Sequence, residues 1–553
     1  MKNTMKKNSV PLQCMIVLLL LMVSPIAVLA QQPQPPLFTV LSAQTVNPGL
    51  PHTLYAPTGV TDFDPLVDEI VVTVTVHEIR ALKTIDVLSD PDFSVQVTIN
   101  EKEFTSPVWQ NMKYVEHPNW SAAVQVPKDT EFVEITLALW DNNLIIDRLC
   151  DISPKSTGDQ AHQYIATLTY SIATGVWWGD DCLGDASGYG RLNGCDDTTI
   201  YQEDRDCEMW FDITQNDFDG DGFPYWLETN MYNTSPTVDN RGEDADDDKI
   251  PIEWEYTFGI TYIDWGYDSG YYMVYDPFTW ENHSDMDDDV DGLTNVEEYK
   301  TWQWGSDPFR QDIFIEFDQM EAGPNDEGSF IPVGAFDLIR DSHSKYNIVW
   351  HVDDGRLGGG ETIPYKEVID EGDHAEWYWK YFMHEDENNW RRGVFRWGLI
   401  AYNWTWAKGF CFSSDINNSS ARDCFFLSTK YHDSRVKNLP LIDSIIRKTF
   451  DSEKQRAFIY AGAIMHETGH TLSIWNRGVD NRRAVWPWQL GFYRFASYKS
   501  VMNYRYIYSD LVDYSDGSHG RMDFNDWADM DLTSFNPRKA SAEDLAAETM
   551  VLY

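Results

Sequence analysis

The densest chemistry in this chain sits near its C-terminal end, in His466-Glu467-Thr468-Gly469-His470. Phe458, Ile459, Ala463, Ile464 and Leu472 recur around it at helical spacing, and on a helix residues four apart share a face. Two imidazoles one turn apart can hold a zinc ion, with Glu467 placed to take a proton from a water on that ion. A second set of residues suits a harder cation. Asp217, Asp219, Asp221 and Glu228, with Gly222 between them, fit D-x-D-x-D-G-x5-E, the spacing with which a loop wraps calcium. Asp244, Asp246, Asp248 and Glu255 repeat the spacing with Lys249 in place of the glycine, and Asp287, Asp289, Asp291 and Glu298 repeat it with Gly292. Oxygen-only ligands suit Ca2+, whereas Zn2+ prefers nitrogen or sulfur. A solvated acidic face would not place Asp and Glu at these offsets three times. Lys249 weakens the expectation for the second loop, because a lysine disfavours the left-handed turn made there by glycine.

The elements that must position these groups belong to a multidomain protein. A chain of 553 residues exceeds one core and predicts two to four domains. The formal net charge of -47 argues against nucleic-acid binding, which needs basic patches, and fits cation binding or solubility outside the cell. Lys2, Lys6 and Lys7 precede an apolar run over Met15 to Leu29, with Val28 and Ala30 before Gln31. That pattern predicts a signal peptide over residues 1–30 and a secreted or cell-surface protein. Cys14 lies within the predicted signal peptide, leaving Cys150, Cys182, Cys195, Cys207, Cys411 and Cys424. Export would oxidise them, with Cys411 and Cys424 as a local pair and three pairings open to the other four.

Residues 37–213 carry short alternating runs: Glu69–Glu78, Phe93–Ile99, Ala122–Val126 and Phe132–Trp140. Period-two patterning separated by turn residues predicts an all-β sandwich. This stretch resembles a C2 domain in Ala81–Pro91, in His117-Pro118-Asn119-Trp120 and in Trp140–Asp147. The resemblance implies calcium at Asp86, Asp90, Asp141 and Asp147, with Asn143 where an aspartate is usual, and membrane-surface contact through that domain. Trp177–Ile213, rich in glycine and aspartate, is expected to cap the sandwich through disulfides. Residues 214–309 hold the three acidic loops, two of them followed by similar tails, Asn233-Thr-Ser-Pro and Gly305-Ser-Asp-Pro. These loops resemble EF-hand-like or thrombospondin type 3 repeats, which implies a calcium-stiffened linker.

Residues 310–553 read as a mixed α+β domain. Asp312–Asp318 is a strand, Ala335–Arg340 a helix, Asn347–Gly355 a second strand, and Phe425–Thr429 the expected substrate-pairing edge strand before the zinc helix. Ser500-Val501-Met502-Asn503-Tyr504 resembles the Met-turn of metzincins, zinc peptidases of the zincin class. The resemblance implies a metalloendopeptidase with Glu467 as general base, Met502 as a hydrophobic floor, and a protein or peptide as substrate. The family pattern continues with a glycine and a third ligand, where this chain has Ser473 and Asn476. Asn476 as a weak donor, Asp480 or His519 by a register shift, and loss of catalysis are the alternatives. In the last case the chain is an inactive peptidase-like protein that binds a surface or adhesion partner in a calcium-dependent way. The run Asp523 to Asp531 is acidic without metal-ligand spacing.

Overall fold

A computed structural model describes residues 44–45, 70–86, 89–127, 129–143, 146–155, 164–181, 190–197, 205–263, 270–325, 330–405, 409–412, 423–437, 452–474 and 486–536. The N-terminal part is all-β. Its strands are β1 (Gln44–Thr45), β2 (Ile70–Ala81), β3 (Phe93–Ile99), β4 (Lys102–Thr105), β5 (Tyr114–Val126), β6 (Phe132–Asp141), β7 (Arg148–Cys150), β8 (Ala166–Ser171), β9 (Trp177–Gly179), β10 (Gly190–Asn193) and β11 (Cys207–Gln215). Apart from β1, they form two sheets in the orders β10-β11-β2-β5 and β4-β3-β6-β8-β9, with β7 on β6. Ile70, Val72, Val74 and Val76 point inward while Val71, Thr73 and Thr75 do not, as strand periodicity requires. They meet Val95, Val97, Ile135, Leu137 and Leu168 in one core.

An expectation changes here. Trp177–Ile213 is not a cap: β11 lies inside a sheet, between β10 and β2, because Met209, Phe211 and Ile213 alternate into the core. The His117–Trp120 stretch forms a bulge within β5, where the register against β2 shifts between Val76 and Glu78. His117 and Asn119 take the left-handed φ values, 52° and 49°. Cys150, Cys195 and Cys207 are buried thiols. Cys411 faces Phe425 and Cys424 faces Phe412, so the expected local pair does not share a register position.

Between the sandwich and the C-terminal part run α1 (Tyr225–Leu227), α2 (Ile252–Gly259), β12 (Ile260–Ile263), β13 (Gly270–Met273) and α3 (Asn295–Thr301). β1 joins β13 and β12 in a small sheet. Two aromatic-rich clusters support the acidic loops, one around Phe223, Leu227, Tyr232 and Ile252, the other around Ile250, Trp254, Phe258 and Tyr275.

The C-terminal part contains β14 (Asp312–Met320), α4 (Val333–Ser344), β15 (Val349–Asp353), β16 (Thr362–Ile363), α5 (Glu371–Trp377), β17 (Phe395–Ala401), β18 (Gly409–Phe412), β19 (Cys424–Ser428), α6 (Thr429–Lys437) and α7 (Ser452–Thr471). Its sheet runs β15-β14-β17-β19-β18, with β16 also on β14. β15, β14, β17 and β19 are parallel and β18 is antiparallel. The expected edge strand at Phe425 is therefore an interior strand, and β18 forms the edge. β19 and β17 are buried along their whole length, as befits strands covered on both faces. Ile313, Ile315 and Phe317 pack with Ile339 of α4 and Ile459, Ile464 and Met465 of α7. Phe314, Phe395, Trp397 and Phe426 belong to a second cluster. Among the described residues no helix is long and apolar enough to cross a membrane.

Candidate functional site

His466 and His470 lie on the last two turns of α7, with ring centroids 4.8 Å apart. Both are buried, as is Glu467 between them. His466 Nδ1 is 2.9 Å from the Val501 carbonyl, and His470 Nδ1 is 3.3 Å from that of Ile474. A carbonyl only accepts, so each Nδ1 carries the proton and each Nε2 keeps its lone pair, the state in which histidine binds metal. Burial pushes the His466 imidazolium down to about 4, which keeps the ring neutral above that pH. The donor set fits two of the ligands of a zinc ion. Asn476 and Asp480, the candidates for a third, lie outside the described residues. His519 is held elsewhere, by Asp523 at 3.0 Å and Asp516 at 3.5 Å.

The turn expected to need glycine is made without it. Ser473 adopts φ 59°, and Ile474 N donates to Gly469 O at 2.9 Å, the long closing bond of a Schellman helix end. Beneath α7 the Ser500–Tyr504 segment packs closely. A Cβ on Gly469 would stand 2.5 Å from Met502 Sδ, so a side chain there would displace the Met502 thioether. Val501 orients His466 through its carbonyl, and the Tyr504 ring sits 5.2 Å from His466. The turn is itself anchored by Asp526. Ser500 Oγ donates to it at 2.5 Å and Tyr498 Oη at 2.8 Å, and Met502 N donates to Ser500 Oγ at 3.0 Å. Asp526 came from an acidic run without usable spacing, and nothing local marks its role. Glu467 faces β18: a Cβ on Gly409 would lie 2.6 Å from Glu467 Oε1. The edge strand thus borders the candidate base.

The acidic loops share one backbone. At the fourth position Gly220, Asp247 and Val290 have φ of 84°, 71° and 62°; at the sixth Gly222, Lys249 and Gly292 have 97°, 90° and 102°. Lys249 therefore makes the left-handed turn that a lysine disfavours. Gly222 N donates to Asp217 and Lys249 N to Asp244, each at 2.9 Å. Each triad of aspartates converges: Asp217, Asp219 and Asp221; Asp244, Asp246 and Asp248; Asp287, Asp289 and Asp291. Glu228, Glu255 and Glu298 are buried, and each has at least one carboxylate oxygen without a hydrogen bond. Buried unpaired carboxylates are costly, and a cation among them removes the cost. Burial, then repulsion from Asp221 and Asp219, pushes Glu228 up to about 8; burial, then Asp248 and Asp246, pushes Glu255 up to about 10. The shared tails explain themselves. Asn233 and Gly305 end their helices in the left-handed region, and the next residues, Thr234 and Ser306, donate hydroxyls to Glu228 and Glu298.

At the sandwich loops the expected ligands are mostly occupied by protein. Asp141 is fully buried and accepts from Asp92 N at 3.1 Å and Asn143 Nδ2 at 2.7 Å. Asp86 lies 3.4 Å from Arg148 Nη1, and Asp147 accepts from Asn143 N at 3.0 Å. Asp90 is exposed, and Ile146, beside Asp147, is 71% exposed.

No protein-family model matches the chain. No curated protein matches it. Solved structures that do match include human GIVD cytosolic phospholipase A2 with methyl gamma-linolenyl fluorophosphonate, at 15% identity and TM-score 0.18, covering 27% of this chain and 17% of that one. A C2 domain matches at 12% identity and TM-score 0.17, covering 27% of this chain and 98% of its own length. A C2 domain of plant Extended Synaptotagmin 1 matches at 12% and 0.17, over 26% of this chain and 92% of its own. The chain thus spans 17% of the phospholipase structure it matches. Scores this low leave the description of the sandwich to its own strands.

Proposed function

We propose that the chain is a zinc-dependent endopeptidase, stabilised by calcium at its acidic loops and acting outside the cell. The observation that carries this reading is the coupling of the two histidines to their surroundings. Both Nδ1 atoms are tied to backbone carbonyls, one of them from the turn under the helix, so both Nε2 lone pairs are presented by a rigid helix. The antiparallel edge strand β18 beside Glu467 adds support, since an extended peptide can pair with an exposed strand edge. Zinc at His466 and His470 would supply a water acidified to a pKa of about 7 and polarise the scissile carbonyl. Glu467, buried beside the two imidazoles, would serve as the general base there and pass a proton to the leaving amine. Met502 packs beneath the site and moves no proton. The sandwich is read as a C2-like module, with membrane contact through its loops as part of this proposal.

The test is hydrolysis of a mixed peptide library in excess calcium, with Glu467→Gln alongside. The expected outcome is cleavage by the parent and a loss of at least about a hundredfold in the variant, the usual scale for a general base. Equal turnover by both would remove Glu467 from the chemistry. Inert but folded and zinc-loaded protein would favour the non-catalytic, surface-binding reading.

A further inference from the structure

The middle acidic loop differs from its neighbours in what meets its last glutamate. Thr234 and Ser306 donate hydroxyls to Glu228 and Glu298, but the second repeat has no such tail, because α2 runs straight into β12. Neither oxygen of Glu255 receives a hydrogen bond. His283 stands there instead, arriving from the segment before the third loop. Its fully buried ring is packed edge-on against Trp254 and Tyr275, at 6.0 and 5.2 Å. Its Nε2 makes no hydrogen bond, yet has Asp248 Oδ2 at 3.2 Å, Glu255 Oε1 at 3.7 Å and Glu281 Oε2 at 3.7 Å. The Glu281 oxygen is likewise buried without a hydrogen bond. Lys249 donates its ammonium to Ser284, at 3.0 Å.

We propose that Asp248, Glu255, Glu281 and His283 form a site for a divalent transition ion of the zinc class, set between two oxygen-only calcium loops. One imidazole nitrogen with three carboxylate oxygens is a borderline-soft set, which zinc accepts and calcium seldom does. The ligand atoms already converge: those of Asp248, Glu255 and His283 lie within 4.8 Å of one another. A partner for the far side of the imidazole ring is also in place. The Asn295 side-chain amide lies 2.9 Å from His283 Nδ1, and its Oδ1 has no hydrogen bond. Turning that amide lets Oδ1 accept from Nδ1–H, leaving the Nε2 lone pair facing the three carboxylates. This site does not depend on the peptidase reading.

The experiment is equilibrium dialysis of the full chain against Zn2+ in excess Ca2+, with both metals counted by emission spectroscopy. The parent is expected to bind two zinc ions, the His466→Ala/His470→Ala variant one, and that variant with His283→Gln none, its calcium content unchanged. A His466→Ala/His470→Ala protein that holds no zinc overturns the proposal and leaves His283 as a hydrogen-bond donor to a third calcium loop. If the parent's zinc count is unchanged by His466→Ala/His470→Ala, the peptidase reading fails while this one stands. Cadmium NMR of the His466→Ala/His470→Ala protein gives a readout independent of the His283 substitution. A nitrogen-bound cadmium resonates away from the all-oxygen sites, and coincident resonances would overturn the assignment.

Discussion

Ser473 holds a φ of 59° in order to close α7 directly after His470. The left-handed region costs an L-residue about 1 kcal/mol, and glycine would occupy it freely. Ser473→Gly is therefore expected to stabilise the fold by about 1 kcal/mol, read as a rise in the denaturant midpoint at constant m-value. An unchanged or lower midpoint would mean that Ser473 contributes through contacts rather than costing through its backbone. Val290 bears a heavier version of the same strain, since a β-branched residue at φ 62° is a genuine outlier. Strain of this kind persists where the surroundings over-determine it. Here Asp291 N is held by both Asp287 and Asp289, each at 3.1 Å.

Each acidic loop works as an element, because its carboxylates converge on one small volume. Without an ion, burial and mutual repulsion hold Glu228 up to about 8 and Asp221 up to about 6. The folded chain then binds more protons than the unfolded one between about pH 4 and 8, where free carboxyls are ionised. Stability of the calcium-free protein should accordingly fall as pH rises through that window. Calcium needs the ionised form, so its binding releases protons and its apparent affinity weakens as pH falls below 8. Calorimetric titration with Ca2+ at pH 7 in two buffers of different ionisation enthalpy should show net proton release. A heat independent of buffer would contradict the upward shifts. Glu228→Gln is expected to remove one calcium per chain and to flatten the pH dependence of stability.

The 12-residue spacing made the loops legible before any fold was known, because ligand positions within one loop are set by local turns. The same holds for α7, where residues four apart must share a face. The edge strand was not legible. Gly409–Phe412 and Cys424–Ser428 are both short and apolar, and only the pairing order shows which of them lies outermost.

At the scale of the whole molecule, the sandwich and the C-terminal part meet at α4. Asp341 accepts from Lys113 Nζ at 2.5 Å and Tyr114 Oη at 2.7 Å, and lies 3.5 Å from Arg80 Nη2. Arg80 is 2% exposed, so removing its partner leaves a buried cation supported by Glu78 at 3.0 Å and by Asp337 at 3.4 Å. Asp341→Ala should cost about 3 kcal/mol, the low end for breaking a buried pair from one side. Chemical denaturation would then resolve separate transitions for the two parts if this contact couples them. A single unchanged transition would place the coupling elsewhere. The third loop offers a second link. Asp312 N, at the start of β14, donates to Asp291 Oδ2 at 2.8 Å, and Asn536 donates to Gly292 O at 2.8 Å. Calcium bound there would brace the sheet that carries the candidate catalytic helix.

By itself the sequence determined what short spacings control: the helix that carries His466 and His470 on one face, the three carboxylate loops, the alternation of the sandwich strands and the turn at Met502. These are set within one or two turns of chain by fixed backbone geometry. The tertiary structure alone decided that β11 is an interior strand and that β18 borders Glu467. It also decided that Asp526 anchors the turn under the helix and that His283 enters the second loop. Each joins residues far apart in the chain, and packing and burial, which no local pattern encodes, choose the partner.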